Sequence, residues 1–414
     1  MARNIAIFQA DHGLQVHTTN IANGLINAGY HVDIFLYNCA FKYEEVANCR
    51  ANIIDFSSEH RYWNQHATII SKLFEAAHYF ILKPLMFNPT RLFYRKVVDK
   101  SFKIIAEKKY AFLIGIEKLG MIWAGLVSKR YKIPYMYYSL ELYPDSNAFS
   151  VSNGMQDILK SLRFLLIRHW ERKFHKQAAA TIVQDRFRAA ELMKMNGVGQ
   201  TKNLLMPITV AGVPFTTKYN YFRQTLEIPD NMKIALQFGV IGQNRLAEEV
   251  ALAGQSFPDD WVIVFHGPVG SERTIQRIRR IDKKKKVFIS TRLIQSEKID
   301  ELISSADIGL CFYGKKRVND YHTGFSSEKL ARYLKCGLPV IAFNYPTFLE
   351  SVEKNHCGIC IAELGEISKA VGAISSRYSE FRQNAFLTYT SCFEFSKQFK
   401  TVLDFLEEHA EKTI

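Results

Sequence analysis

Thr323-Gly-Phe-Ser-Ser-Glu-Lys-Leu-Ala-Arg-Tyr-Leu-Lys-Cys-Gly-Leu-Pro-Val-Ile-Ala-Phe343 is the stretch from which this 414-residue chain is best read. It predicts a loop, a short helix, a tight turn and a buried strand. Ser326 or Ser327 is placed to cap the helix, because a side-chain oxygen there accepts one of the unpaired first-turn N–H groups. Leu330, Tyr333 and Leu334 recur at helical spacing and form one apolar face. Gly337 stands where the helix must stop, since glycine adopts positive φ at little cost. Pro339 follows, and Val340-Ile-Ala-Phe343 is an unbroken apolar run, the pattern of a parallel strand covered on both faces. The chemistry lies at the helix start. Unpaired amides and the positive end of the helix dipole attract an anion, and Lys329 adds a full charge in the first turn. A cation there is unfavourable unless an anion joins it. A surface lysine on an ordinary α/β helix accounts for the same residues.

Working outward, the second half of the chain repeats strand and helix. Lys233-Ile-Ala-Leu-Gln-Phe238 reads as a strand, followed by Gly239-Val-Ile-Gly-Gln-Asn-Arg245. Gly239 and Gly242 let the backbone approach a phosphate, and Arg245 is placed to clamp it. Trp261-Val-Ile-Val-Phe265 ends in His266-Gly267. The run Lys283–Lys286 reads as a solvated turn before Val287-Phe-Ile-Ser290, and Ala306-Asp-Ile-Gly-Leu-Cys-Phe312 leads into the opening stretch. Cys357-Gly-Ile-Cys360 lacks a second ligand pair at finger spacing, so no metal is expected.

The first half opens with strand Asn4–Phe8, a polar turn, a helix to about Ala28, and strand His31–Leu36. This is a βαβ unit. Asp11-His12-Gly13 falls at the carboxyl edge of its first strand, where open α/β sheets bind ligands. The absence of G-x-G-x-x-G argues against a dinucleotide-binding dehydrogenase. Glu117 stands just past the buried strand Ala111–Gly115. Glu141 and Asp145 follow the strand Pro134–Tyr138. Carboxylates at strand ends suit a general base or a sugar-hydroxyl ligand, and each alone also reads as a solvated loop acid. Ala180–Val183 is the last central strand of this half, and Pro207–Asn220 reads as a linker.

The length fits two domains. With 48% hydrophobic residues the chain is globular. It has no run long and apolar enough to span a membrane, and its start runs directly into a strand, so no signal peptide is expected. Seven scattered cysteines suit a reducing cytoplasm. The net charge is +14, from 54 Lys and Arg against 40 Asp and Glu. Residues 70–176 carry 19 of the basic and 8 of the acidic residues, a net +11. That field favours an anionic surface or substrate. Segments Leu73–Phe87, Arg91–Val97 and Ile158–Trp170 interleave aromatics with Lys and Arg. They fit a membrane interface, and equally a core-facing helix with a solvated basic rim. No nucleic-acid-binding motif accompanies the charge.

The string Glu328-Lys-Leu-x-x-Tyr-Leu-x-x-Gly-Leu-Pro-Val-Ile341 resembles the donor-binding signature of GT-B glycosyltransferases, especially the glycosyltransferase-4-like (group 1) superfamily. Phe348-Leu-Glu-Ser-Val-Glu-Lys-Asn-His-Cys-Gly-Ile359 continues the likeness, and Ser139–Asp145 is similar to another family segment, with Leu140 where the family has histidine. The resemblance implies two Rossmann-like α/β domains facing across a cleft. It places an acceptor-binding domain at 1–207, a linker at 208–222 and a nucleotide-sugar-binding domain at 223–385. Helices 386–414 would return to the first domain. It implies transfer of a sugar from a UDP- or GDP-type donor to an acceptor hydroxyl, in polysaccharide or glycolipid synthesis, with no metal or other cofactor. Donor contacts are expected from Gly13, Gly242, Arg245, His266, Gly267, Leu293, Ile294, Phe325, Ser326, Ser327, Glu328 and Lys329. Glu117, Glu141, Asp11 and His12 are the expected catalytic or acceptor-side residues. A sugar or lipid-linked acceptor and an anionic membrane surface are the expected partners, on the cytoplasmic side of the membrane. The sequence departs from the family in one respect. Many members carry one glutamate five residues before the glycine and another eight residues earlier, and here these are Arg332 and Gly324. Glu328 either takes the ribose contact or pairs with Arg332 at i,i+4. Two other readings fit the same residues: a sugar-nucleotide epimerase, and a partner subunit that kept the fold without catalysis.

Overall fold

The structure is a computed structural model that describes residues 4–10, 14–37, 48–56, 95–144, 155–199 and 202–411. Asp11, His12, Gly13, Asp145 and the basic-aromatic stretch 73–87 lie outside the described residues. The chain divides into two compact units, residues 1–206 with 399–414, and residues 207–398. Both are α/β and Rossmann-like.

In the first unit the strands are β1 (Asn4–Gln9), β2 (His31–Leu36), β3 (Asn52–Asp55), β4 (Tyr110–Ile116), β5 (Tyr135–Tyr138), β6 (Ala180–Val183) and β7 (Lys202–Leu205). They form one parallel sheet in the order β3-β2-β1-β4-β5-β6-β7. The central strands are almost wholly apolar because helices cover both faces. The Glu117–Tyr131 helix comes closest. A Cβ on Gly115 would enter the backbone of Met121, and one on Gly120 would enter the Phe8 carbonyl, so glycine at both positions lets the helix lie against β1 and β4. Trp123 from this helix packs against Phe8, with centroids 5.2 Å apart, and its Nε1 donates to Ser101 Oγ at 3.1 Å.

Of the Phe395–Glu411 helix, residues from Phe399 onward belong to this unit. Phe405 meets Phe112 edge-on at 5.9 Å, and Lys202 Nζ reaches Glu408 Oε2 at 2.7 Å. The buried phenyl contributes roughly 1.5–3 kcal/mol, whereas the exposed ion pair adds little. In the Met155–His175 helix, Ile167, Trp170 and Phe174 are buried while Arg163 and His169 face solvent. The described part of that basic-aromatic stretch is therefore core-facing with a basic rim. Among the described residues no helix is long and apolar enough to cross a membrane.

The second unit's strands are β8 (Lys233–Phe238), β9 (Trp261–His266), β10 (Val287–Ser290), β11 (Ile308–Cys311), β12 (Val340–Phe343) and β13 (Gly358–Ile361). The order is β10-β9-β8-β11-β12-β13, again all parallel. The Glu328–Lys335 helix sits where the opening stretch predicts it, with Ser327 as its N-cap and Gly337 at φ +68 just past its end. Tyr333 explains itself through tertiary contacts. Its ring fills the space a Cβ on Gly309 would occupy, while its hydroxyl donates to Leu236 O at 2.9 Å and accepts from Phe238 N at 2.8 Å. The helix is thereby pinned to two strands. Residues 208–215 run within this unit, where Ile208 N donates to Phe325 O and Phe215 N to Lys335 O. Cys357 is buried and its thiol donates to Val352 O at 3.4 Å.

Candidate active site

In each unit the strand order reverses beside the first strand, between β1 and β4 and between β8 and β11. Loops leaving the carboxyl ends there diverge to opposite faces and open a crevice, the usual ligand position in such sheets. Of the expected residues of the second unit, Arg245, Ser327 and Lys329 come together at its reversal.

Ser327 is buried, and its Oγ accepts from Leu330 N at 3.1 Å, the cap bond. A second bond, 2.7 Å, joins it to the hydroxyl of Tyr313 on the loop after β11. Lys329, in the first turn, is buried except for 8% of its surface. Among the described residues its ammonium has no hydrogen-bond or ion-pair partner and instead lies over the Tyr313 ring, 4.5 Å from the centroid. Loss of hydration pulls its pKa down to about 8; the nearby Cys311 thiol opposes that shift, Arg245 adds to it, and Asp320 opposes it more weakly. Arg245 ends the short 3₁₀ turn Gln243–Arg245. Its guanidinium also lies over Tyr313, at 4.4 Å, and its Nη1 donates to Asp320 Oδ1 at 2.9 Å. Two cations and one helix start thus surround a single aromatic ring. A cavity of about 620 Å³ shares Asp320 with this cluster but is lined by neither cation; its walls include Glu248, Glu249, Lys315, Lys316 and Arg317.

The other expected donor residues take several roles. Gly239 N donates to His266 O, and a Cβ on Gly267 would enter the Gly239 carbonyl, so the loops after β8 and β9 interlock. His266 is buried, stacks on Phe238 at 5.8 Å and shares a 2.8 Å bond with Ser290 Oγ. Burial lowers its pKa to about 4, which keeps it neutral. Gly242 begins the Arg245 turn in an extended conformation. Leu293 is exposed and Ile294 half-buried on the loop after β10. Phe325 stacks on Phe393 at 5.9 Å, its ring turned into the unit's own packing. The Ser326 amide donates to Thr323 O within a turn, and its hydroxyl to His322 O. Glu328 Oε1 accepts from Arg332 Nε at 2.7 Å, so the i,i+4 pair forms.

Arg332 is also 3.7 Å from Asp300, whose other oxygen takes Lys335 Nζ at 2.6 Å. Arginine at that position therefore belongs to a charge network along the helix.

In the first unit, Glu117 directly follows β4, beside its reversal point, with φ +57. A non-glycine residue held there costs on the order of 1–3 kcal/mol. Its Oε1 accepts from the amides of Leu140 at 2.6 Å and Glu141 at 2.9 Å, bracing the loop after β5. Its Oε2 is buried and has no hydrogen-bond partner among the described residues. Desolvation raises its pKa to about 7, against the pull of Lys118 and with a push from Glu141. The Glu141 side chain itself is exposed. Arg188, also buried, donates from Nη2 to Leu140 O at 2.5 Å and fixes the same loop from the other side.

Tyr313 and Asp320 are the residues that sequence reasoning missed. Tyr313 reads as the tail of an apolar strand, and Asp320 as one acid in a polar loop. The one available signal was an acid following the three cations Lys315-Lys-Arg317.

Two family models match successive parts of the chain. One, described as glycosyltransferase family 4, matches residues 12–203, and the other, described as glucosyltransferase 3-like, C-terminal domain, matches residues 274–389. No curated protein sequence matches. Among solved structures, sucrose-phosphate synthase from Thermosynechococcus elongatus is similar with TM-score 0.64 and 14% identity, over 98% of this chain and 99% of that one. HepE from Anabaena, in complex with UDP and glucose, gives 0.66 and 13% over 98% and 99%. WaaG, a glycosyltransferase involved in lipopolysaccharide biosynthesis, gives 0.59 and 14% over 96% and 97%. At these identities the structural likeness is one of fold.

Proposed function

We propose that the chain is a GT-B glycosyltransferase of the glycosyltransferase-4-like group, which moves a sugar from a nucleotide-diphosphate donor to an acceptor hydroxyl; the family model over residues 12–203 and the fold shared with solved glycosyltransferases support this reading. The observation that carries the donor assignment is Lys329. A nearly buried ammonium at a helix start, with no anionic partner among the described residues, is unfavourable until a ligand anion meets it. Arg245 stands on the same ring with guanidinium donors to spare. Together with the first-turn amides, the two cations would neutralise the charge that develops on the departing nucleoside diphosphate. HepE has been solved with UDP-glucose, which supports a donor of this chemical class. This electrostatic role is the one a metal fills elsewhere, so activity that persists in EDTA is expected.

On the acceptor side, Glu117 is the candidate base or hydroxyl ligand. Its pKa near 7 matches proton transfer at neutral pH, and Oε2 has hydrogen-bonding capacity left. The net +11 over residues 70–176 favours an anionic acceptor, such as a lipid-linked diphosphate sugar in polysaccharide or glycolipid synthesis.

Isothermal titration of the full chain with UDP and with GDP tests the donor assignment. Binding of one of them, lost in Lys329→Met, is the expected result. A second reading, a partner subunit without catalysis, is favoured by Arg332 and Gly324 at two positions where the family signature has glutamate. Failure to bind either nucleotide would select it.

A further inference from the structure

We infer that Tyr313 is a positioning residue of the donor site, holding Arg245 and Lys329 over one ring while its hydroxyl fixes the cap of the helix that carries Lys329. The inference rests on the reading that these two cations receive a nucleoside diphosphate. Tyr313 is itself well fixed. It is buried, its carbonyl accepts from Tyr345 Oη at 2.8 Å, and its ring lies 6.1 Å from that of Phe348. Its hydroxyl meets Ser327 Oγ at 2.7 Å, and Ser327 caps the Glu328–Lys335 helix. The ring therefore cannot move without disturbing the helix start.

Like charges brought together repel, and something must hold them in place before the ligand arrives. A carboxylate between them would do so, but it would compete with the incoming phosphates. An aromatic face attracts cations without using their N–H donors, which stay available to an anion. Arg245 Cζ at 4.4 Å and Lys329 Nζ at 4.5 Å from the same centroid fit that arrangement. Asp320 engages Arg245 through one Nη1 contact, leaving Nε and Nη2 to meet a phosphate. Tyrosine supplies two separable functions here, a ring for the cations and a hydroxyl for the cap.

The test is calorimetric titration of the full-length wild type, Tyr313→Phe, Tyr313→Leu and Tyr313→Met with UDP and GDP, repeated from pH 6.5 to 9.5. Phenylalanine keeps the ring and should bind within roughly threefold of wild type, while leucine should bind roughly tenfold or more weakly. The pH at which affinity falls should lie near that of Lys329, about 8, in wild type and Tyr313→Phe. It should move upward in Tyr313→Leu, where water reaches the ammonium. A purely structural role would not move that midpoint. Tyr313→Met also lacks an aromatic face but is unbranched and packs adaptably, so it keeps the comparison intact if the leucine variant melts early. Leucine or methionine variants that bind like wild type with the same midpoint would overturn the inference. So would a phenylalanine variant as weak as they are. If wild type binds neither nucleotide, the donor assignment itself falls, and the inference falls with it.

Discussion

The amide of Gly324 donates to Thr347 Oγ1 at 3.0 Å, and a Cβ on Gly324 would stand 2.8 Å from Phe348 N and closer still to the Thr347 carbonyl. The turn at Pro346–Phe348 therefore lies directly on the loop that leads into the Glu328–Lys335 helix. In many members of the family this loop position carries glutamate. Here the neighbouring backbone occupies the space that side chain would need. Restoring the family residue should cost stability without restoring a contact. Gly324→Glu is expected to destabilise by roughly 1–3 kcal/mol, the range for overpacking a rigid site. Thermal unfolding of Gly324→Glu and Gly324→Ala measures this. An unchanged melting temperature in both would show that the turn yields freely.

Lys329 gives nucleotide binding a pH dependence whose sign is fixed. Its pKa in the unliganded protein is lowered to about 8 by loss of hydration. A bound diphosphate favours the ammonium and raises that value again. Affinity should therefore be highest below pH 8 and should fall as pH rises through it. Lys329→Met should bind at least ~10-fold more weakly, since a hydrogen bond to a charged group contributes roughly 1.5–3 kcal/mol. It should also lose the pH dependence. Titration at a series of pH values reads both, and a flat profile in wild type would show that the lysine does not meet the anion.

The net +11 over residues 70–176 carries a third expectation. Each Lys or Arg close to an anionic leaflet contributes about 1 kcal/mol. Four on one face would thus supply roughly 4 kcal/mol, screened by salt over a Debye length of about 8 Å. Trp170 and Phe174 are buried and add nothing to such a surface. Sedimentation should show the chain on vesicles with anionic lipid, much less on neutral ones, and weakened by added salt. Equal partition onto both, or none onto either, would show that this charge does not serve to meet an anionic membrane.

What could be read from the sequence was local. The cap at Ser327, the apolar face of Leu330, Tyr333 and Leu334, the stop at Gly337 and the strand behind it are all set by residues within a turn or two of one another. The alternation of apolar runs with helices likewise marks two Rossmann-like halves. The surroundings of Lys329 were not legible. Tyr313 and Asp320 reach it because the loop after β11 folds back over the helix start, and no periodicity records that. Phe325 is expected at the donor from its place in the motif, and the stacking of its ring on Phe393, a partner distant in sequence, is not legible there. Gly324 looked like a lost acid, and its reason lies in the backbone at Thr347. In each case a long-range contact decides the role of the side chain.

Glu117 offers the last test, because its two possible roles have opposite signatures. The carboxyl is fully buried and its pKa is raised to about 7, from an ordinary value of 4.5. The folded protein therefore binds more protons than the unfolded chain between pH 4.5 and 7. By linkage, stability associated with this group is greatest at low pH and declines as pH rises to 7, where the buried charge forms. Replacing it with glutamine removes that charge. Glu117→Gln should leave stability nearly unchanged below pH 5 and raise it above pH 7, by roughly 3 kcal/mol at most. If Glu117 is the base, the same variant loses ~100-fold or more in transfer, and wild-type activity declines as pH falls through 7. Activity that survives the substitution would leave Glu117 as the brace of the loop at Leu140 and Glu141 and nothing more. A stabilised but inactive variant is the outcome that assigns the proton transfer to Glu117.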